Sequence, residues 1–592
     1  MSIQKIFALL LTVAMIATSL ASCGLFSKTE NTTPAETTAA QTTPAETTAP
    51  AETTTPAETT APIETTLPAE TTTNSEDEVP PEPTIVTPDS ISIQAGNSAI
   101  ENFAVAELKW YLAAKNMPVS DDGYPIVFSI DPALLAADSY MIEVADDCLC
   151  ITGGNERGFA YGFYTFLENY IGVHFYAADT VVVDDKELVF VGGELFTPEM
   201  QILRNPWYPI EVLPEKDGGN ESGKRMAKTL TLGTITGNGG IAQPCLTDPE
   251  NLPKAIKYVS DFLAATPGLE TLSFAPVDGS DYYCQCPNCA RIDKEEGSHA
   301  GTYIRFINAL IEAVAADYPT VQFEINIRTY LQNAPAITKP TKGVAVRIST
   351  AGCHANHPIT NATCPECVAF TQGLKTWGEL CDSVNLEYVL TSTANYIPTF
   401  ANLGTLRENM RFFAESGVKS IYCSGNFACP SGEFGELRVY LISKLLLDPM
   451  MSEKEYYAYM DEFLAAYYGD GWEYIRKFID KTTELAADGQ QTAIGNPFDA
   501  ITQEEYLANE ETFDEWWNKA EELAGDRIEF VKRARYQWRY IKLCLHPNAE
   551  DAQALIADVS KADAKVAWRE KQWNVDSASD LSQAPTEWKY KS

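Results

Sequence analysis

Between Met200 and Pro449 short apolar runs alternate with helical stretches, and this order constrains the fold more than any other feature of the chain. Strands are expected at Gln201–Leu203, Thr229–Thr234, Thr271–Pro276, Val321–Ile327, Val344–Ser349, Asn385–Thr391 and Lys419–Cys423. Helical stretches such as Tyr303–Ala316 and Thr405–Ser416 lie between them. Repeated β-α order over this length predicts a parallel α/β fold. The length suits a (β/α)8 barrel, although seven strand candidates are present where eight are needed. A Rossmann-like sheet is the alternative, but no G-x-G-x-x-G follows an early strand.

The chain has 592 residues, too many for one compact core. Residues 85–199 form a second segment with its own alternation. Short strands are expected at Ser90–Gln94, Ile126–Ile130, Tyr140–Val144 and Cys148–Thr152, the last two as a hairpin around Asp146-Asp147. Phe103, Ala106 and Trp110 have helical spacing, and Asn155 is placed to cap the helix that follows Gly154. Arg157 reads as a surface ion pair and His174 as a packed imidazole. After Leu437 the periodicity is helical, so residues 450–592 are expected to form a helical C-terminal domain whose Trp and Tyr residues are core.

The ends carry different information. Phe7–Leu20 is apolar but short for a membrane span. Leu20-Ala21-Ser22-Cys23 follows directly and resembles the lipobox of bacterial lipoproteins, which implies cleavage before Cys23 and lipidation of its thiol. Two acyl chains suffice for stable anchoring. The expected location is therefore the extracellular face of the cell membrane, with residues 1–23 as signal peptide. Residues 24–84 repeat PAETT and have almost nothing apolar to bury, so they are expected to be a disordered linker. Fully extended at ~3.1 Å per residue, such a tract reaches on the order of 150–200 Å. The formal net charge of −39 makes nucleic acid an unsuitable partner.

Gly153–Tyr176, GGNERGFAYGFYTFLENYIGVHFY, joins a Gly-Gly turn to a long aromatic helix. It resembles the end of the small N-terminal domain of α-glucuronidases and β-hexosaminidases. The stretches QPCLTDPEN (Gln243–Asn251), VDGSDYYCQCPNC (Val277–Cys289), EEGSHAGTYIRFIN (Glu295–Asn308), GVKSIYCSGN (Gly417–Asn426) and GELRVYLISKLLLDP (Gly435–Pro449) resemble an uncharacterised bacterial lipoprotein family. That resemblance implies a glycoside-hydrolase-like barrel over 200–449 behind the α/β domain of 85–199. It implies a glycan as substrate or ligand and O-glycosyl hydrolysis as the reaction. The chain departs from the family in two places. Val277 stands where Asn is common, and Leu390-Thr391-Ser392 replaces a Trp-Asp-Tyr run.

Glycosidases commonly use two carboxyl groups on loops after barrel strands. Asp278 and Asp281 follow one strand, and Glu433 and Glu436 follow another; Asp278 is the first choice, while Glu436 also suits a helix cap. Glu324, inside a strand, is expected to be structural. Tyr282, Tyr283, Tyr330, Asn395, Tyr396 and Phe427 are positioned to contact sugar. No catalytic cofactor is implied. Cys284, Cys286 and Cys289 form C-x-C-x2-C, and Cys364 and Cys367 form a second C-x2-C beside Cys353, His354 and His357. Cys286, Cys289, Cys364 and Cys367 together suit a structural zinc; disulfides are the competing expectation outside the cell. The motifs of serine hydrolases and zinc proteases, G-x-S-x-G and H-E-x-x-H, are absent. The functional expectation is a surface-anchored glycoside-hydrolase-like lipoprotein. The alternatives are a non-catalytic carbohydrate-binding protein on the same scaffold and an adhesion lipoprotein.

Overall fold

The computed structural model describes residues 85–177, 180–191, 193–196, 227–237, 243–277, 283–392, 397–424, 432–493 and 495–562. All of them fall within one compact unit, Pro83–Ser592. No helix among the described residues is long and apolar enough to cross a membrane.

The first part of the fold has nine strands: β1 (Ile85–Val86), β2 (Ile91–Gln94), β3 (Tyr124–Ile130), β4 (Tyr140–Val144), β5 (Leu149–Gly153), β6 (Val173–Ala177), β7 (Thr180–Val183), β8 (Phe190–Val191) and β9 (Gly193–Phe196). Five of these form the order β2-β3-β5-β4-β9, while β1-β8 and β6-β7 are separate ribbons. β4 and β5 pair antiparallel, as the turn at Asp146-Asp147 requires. Two helices cover the sheet, α1 (Ala99–Ala114) and α2 (Glu156–Phe166). Ser98 opens α1 with a capping box that Glu101 completes. Asn155 opens α2 by accepting from Gly158 N at 2.7 Å. The glycines there are required by close approach. A Cβ on Gly154 would lie 1.8 Å from the Ala136 carbonyl oxygen, and one on Gly158 would lie 2.2 Å from that of Ser139. Arg157 pairs with Asp138 at 3.6 Å, as a surface charge on α2 would. Ile126, Phe128, Ile142, Ile151, Phe159 and Phe163 belong to one buried cluster, separate from the larger core that follows.

The second sheet has six parallel strands in strict chain order: β10 (Ala227–Thr231), β11 (Thr271–Ala275), β12 (Gln322–Ile327), β13 (Ala345–Ser349), β14 (Val384–Val389) and β15 (Ser420–Ser424). A doubly wound sheet reverses its strand order at a switch point. This one never reverses, so the Rossmann-like alternative is set aside. Closure of an eight-stranded barrel is not seen among the described residues, and the candidate strand Gln201–Leu203 lies outside them. The strand expected at Thr229–Thr234 is shorter than its apolar run. Thr231 accepts from Thr234 N at 3.3 Å and caps a short helix, α3 (Leu232–Thr236).

Side-chain alternation gives this sheet two unlike faces. Leu272, Phe274, Ile325, Val346, Ile348, Leu386 and Ile421 join the large apolar core. Thr229, Ser273, Glu324, Asn326, Arg347 and Asn385 alternate with them and occupy the other face. Glu324, Asn326 and Arg347 are nonetheless buried. Glu324 pairs with Arg347 Nε at 2.9 Å and accepts from Asn385 Nδ2 at 2.7 Å. Arg347 Nη2 also reaches Thr229 Oγ1, at 3.3 Å, although two strands lie between β10 and β13. In a flat sheet three strand spacings separate them by about 14 Å. The sheet therefore curls, with its polar face concave.

Helices α4 (Asn251–Ala265), α5 (Pro287–Glu296), α6 (Ala300–Val314), α7 (Pro365–Leu380) and α8 (Leu406–Glu415) connect the strands. From α9 (Gly435–Leu447), α10 (Glu453–Tyr468) and α11 (Trp472–Ala486) to Ala562 the described chain is helical. Trp517, Trp538 and Tyr506 are fully buried core residues. The β6-β7 ribbon is tied to these helices: Tyr176 OH donates to Glu462 at 2.6 Å, and His174 Nδ1 lies 3.0 Å from the same carboxylate. His174 is thus packed, with its ring stacked on Tyr176 and set beside the Glu462 carboxylate.

Candidate functional site

Loops that follow the C-terminal ends of parallel strands are where α/β folds gather functional side chains. β11 ends at Ala275, and its loop leads through Tyr283 into α5. β12 ends at Ile327, and Tyr330 follows three residues later. Because β11 and β12 are neighbours, these loops meet. Between them is a cleft of about 610 Å³ lined by Tyr283, Asp293, Ser298, His299, Tyr330 and Asn333. The Tyr283 ring centroid is 3.6 Å from that of His299 and 5.5 Å from that of Tyr330. Burial pushes the Tyr330 hydroxyl well above the usual phenol range, so it stays a neutral donor.

His299 is oriented by Asp293, whose Oδ2 lies 2.7 Å from Nδ1. The other carboxylate oxygen accepts from Thr302 Oγ1 at 2.5 Å. This carboxylate sets the tautomer, with Nδ1 protonated and Nε2 left for a ligand. The arrangement gathers two tyrosine rings and a directed imidazole at one cleft.

The sequence-predicted carboxylates fare differently. Asp278 and Asp281 lie outside the described residues, as do Tyr282, Asn395, Tyr396 and Phe427. Glu433 is described and is not presented to solvent, being 2% exposed. Its Oε1 lies 2.7 Å from Arg438 Nη2 and accepts from Phe400 N at 2.8 Å. Burial pushes its carboxyl up to about 7 against the pull of Arg438. The left-handed backbone at Glu433 and Phe434, with φ of 57° and 58°, turns the chain so that this pair can form. Glu436 sits in the first turn of α9 and is half-buried. Glu324 is structural, bonded within the concave polar face. Asp293 and Glu387 were not singled out from sequence. Glu387 ends up 3.2 Å from Arg328 beside the same strand ends. Its place in the polar alternation of β14 was the available signal; Asp293, in a helix, carried none.

No disulfide joins any of the twelve described cysteines. The two C-x2-C knuckles head separate clusters and do not share one site. Cys286 and Cys289 gather with Cys284 and with Cys245, all four sulfurs within 4.8 Å of one another. Cys364 gathers instead with His354 and His357 within the same limit. There Cys364 Sγ is 3.4 Å from His354 Nδ1, and Cys367 N donates to Cys364 Sγ at 3.5 Å. Hydrogen bonding from Cys353 lowers the Cys367 thiol to about 6. Each knuckle sits at a helix start after a strand, β11 for the first and β13 for the second, and β12 lies between those strands in the sheet.

Residues 195–480 match a family model described as a domain of unknown function, DUF4838. No curated protein matches the chain. Among solved structures, similarity extends to a GH138 enzyme targeting pectin rhamnogalacturonan II. That match has 11% identity and a TM-score of 0.40 over 80% of this chain and 91% of the other. A Flavobacterium johnsoniae chitobiase matches with 10% identity and a TM-score of 0.42, over 80% of this chain and 94% of its own. The protein CpGH84B matches with 10% identity and a TM-score of 0.41, over 82% and 93%. Likeness this remote carries no argument about chemistry.

Proposed function

We propose that this chain is a surface-anchored, glycoside-hydrolase-like lipoprotein that engages an extracellular glycan in the cleft of Tyr283, His299 and Tyr330. The observation that carries the proposal is the cleft itself, with two tyrosine rings and an Asp293-oriented imidazole near the ends of adjacent parallel strands. A sugar face packs against the tyrosine rings, and its hydroxyls bond to His299. Hydrolysis of an O-glycosyl bond requires an acid and a base or nucleophile. Asp278, on the loop that also carries Tyr283, is assigned one of these roles, and Asp281 is the nearest second carboxyl in sequence. A specific observation favours the alternative, a binder without turnover. Asp293 at the cleft and Glu387 on β14 are already engaged by His299, Thr302 and Arg328.

A glycan array and a glycosidase panel, applied to the Pro83–Ser592 unit, test both. Tyr283→Ala and Tyr330→Ala are each expected to weaken glycan binding about tenfold, close to the ~1.4 kcal/mol of a lost aromatic platform. Asp278→Asn is expected to keep binding and lose turnover. Turnover unaffected by that change removes Asp278 from the mechanism, binding without any turnover selects the binder, and a protein that neither binds nor cleaves sinks both. The lipid anchor is a separate proposal resting on Leu20-Ala21-Ser22-Cys23. Cys23→Ala is expected to move the full chain from the membrane to the soluble fraction, and retention in the membrane would end the idea.

A further inference from the structure

We propose that Cys245, Cys284, Cys286 and Cys289 bind a single zinc ion through four thiolates, fixing the loop between β11 and α5. The proposal is independent of whether the cleft takes a glycan.

The spacing is that of ligands around one ion. Cys245 Sγ lies 3.7 Å from Cys286 Sγ and 3.9 Å from Cys289 Sγ. Zinc–sulfur bonds of about 2.3 Å, arranged tetrahedrally, put sulfurs about 3.8 Å apart. A disulfide needs about 2.05 Å and joins sulfurs two at a time. Here one sulfur stands at nearly equal distance from two others, and the fourth lies within the same small volume.

The local chain conformation supplies the rest. Cys286 is the N-cap of α5, and its sulfur accepts from Cys289 N at 3.5 Å. Pro287 at the first helical position holds that turn without needing an N–H partner. The turn aims both sulfurs to one side, toward Cys245. Thr247 Oγ1 is 3.3 Å from Cys289 Sγ and 3.5 Å from Cys286 Sγ, placed as a hydroxyl donor to the bound sulfurs.

The segment that brings Cys245 is itself braced from both sides. Gln243 makes a two-bond clamp on Val277, donating to its carbonyl and accepting from its N–H, each at 2.9 Å. Asn251 Nδ2 donates to the Cys245 carbonyl at 2.8 Å. Residues 243–251 thus hold the fourth sulfur against the start of α5, where the other three lie. Four thiolates fill a tetrahedron and leave no open position, so the ion is structural. It braces the chain at Tyr283, one residue before Cys284.

The test combines elemental analysis of the purified full chain with pulsed alkylation read by peptide mass mapping. Wild type is expected to carry one more zinc per chain than Cys286→Ser/Cys289→Ser. That difference isolates this cluster from the one at His354, His357 and Cys364. In wild type the four cysteines are expected to resist alkylation as a group and to become labelled together once EDTA has removed the metal. Equal zinc in the two proteins, labelling indifferent to EDTA, or a disulfide among these four cysteines overturns the proposal. If the double variant does not fold, the wild-type alkylation pattern decides alone.

Discussion

Replacing Arg438 with Met is expected to lower folding stability by about 3–5 kcal/mol, the range for breaking a buried ion pair from one side. Arg438 is a hub for groups that have no access to water. Its Nη2 pairs with Glu433 at 2.7 Å and donates to the Phe400 carbonyl at 3.3 Å. Its Nε donates to Asn402 Oδ1 at 3.0 Å, and its Nη1 to the Glu433 carbonyl at 3.0 Å. Methionine fills the volume and satisfies none of these acceptors. The loss also acquires a pH dependence of defined sign. Glu433 is already raised from 4.5 to about 7 with Arg438 in place, and losing the cation raises it further. A carboxyl whose folded pKa lies above its unfolded value contributes most below the unfolded value. That contribution is lost as pH climbs through the folded one. The variant is therefore expected to be less impaired near pH 5 than near pH 8. Denaturant titrations at both pH values check this; a loss below about 1 kcal/mol, or a larger loss at the acidic end, contradicts it.

Glu324→Leu is expected to cost a similar amount, about 3–5 kcal/mol, by taking the carboxylate away from the buried Arg347 cation. The carboxylate accepts from Ser273 Oγ at 2.5 Å and from Asn385 Nδ2 at 2.7 Å besides pairing with Arg347. Arg347 keeps Asn326 Oδ1 at 2.7 Å, Ser273 Oγ at 3.2 Å, Thr229 Oγ1 at 3.3 Å and the face of Tyr422, all of them uncharged. Removing both charges, as Glu324→Leu/Arg347→Met, is expected to recover most of the loss, because neither ion then remains to be desolvated. Chemical denaturation of the two single variants and the double variant measures the coupling. A double variant as unstable as the sum of its parts contradicts the argument.

The strands were legible because each is a short apolar run bounded by turns, and such runs have few other ways to pair their backbones. Val321–Ile327 and Val344–Ser349 were expected within a residue of where β12 and β13 lie. Asn155 was legible as a cap for the same local reason. Thr229–Thr234 was overextended because a threonine can end a strand as readily as continue one. The site was less legible. Tyr283 and Tyr330 could be named from their places after strands, but not that they share a cleft with His299.

The knuckles at Cys286 and Cys364 are local, since a Cys-Pro-x-Cys turn at a helix start forms its own N–H to sulfur bond. Partnership between them is not local. From sequence the two knuckles are expected on loops of one barrel face, where they could share one ion. The fold gives the first one Cys245 and Cys284 and the second one His354 and His357. Sequence by itself determined the alternation of elements, the caps, and the residue types able to bind metal or stack on sugar, all set by interactions within a few residues. Tertiary structure alone decided which distant side chains meet. Strand order, sheet curl and burial settle that, and they place Arg347 against Thr229, Arg438 against Glu433, and Cys245 against a helix start some forty residues later.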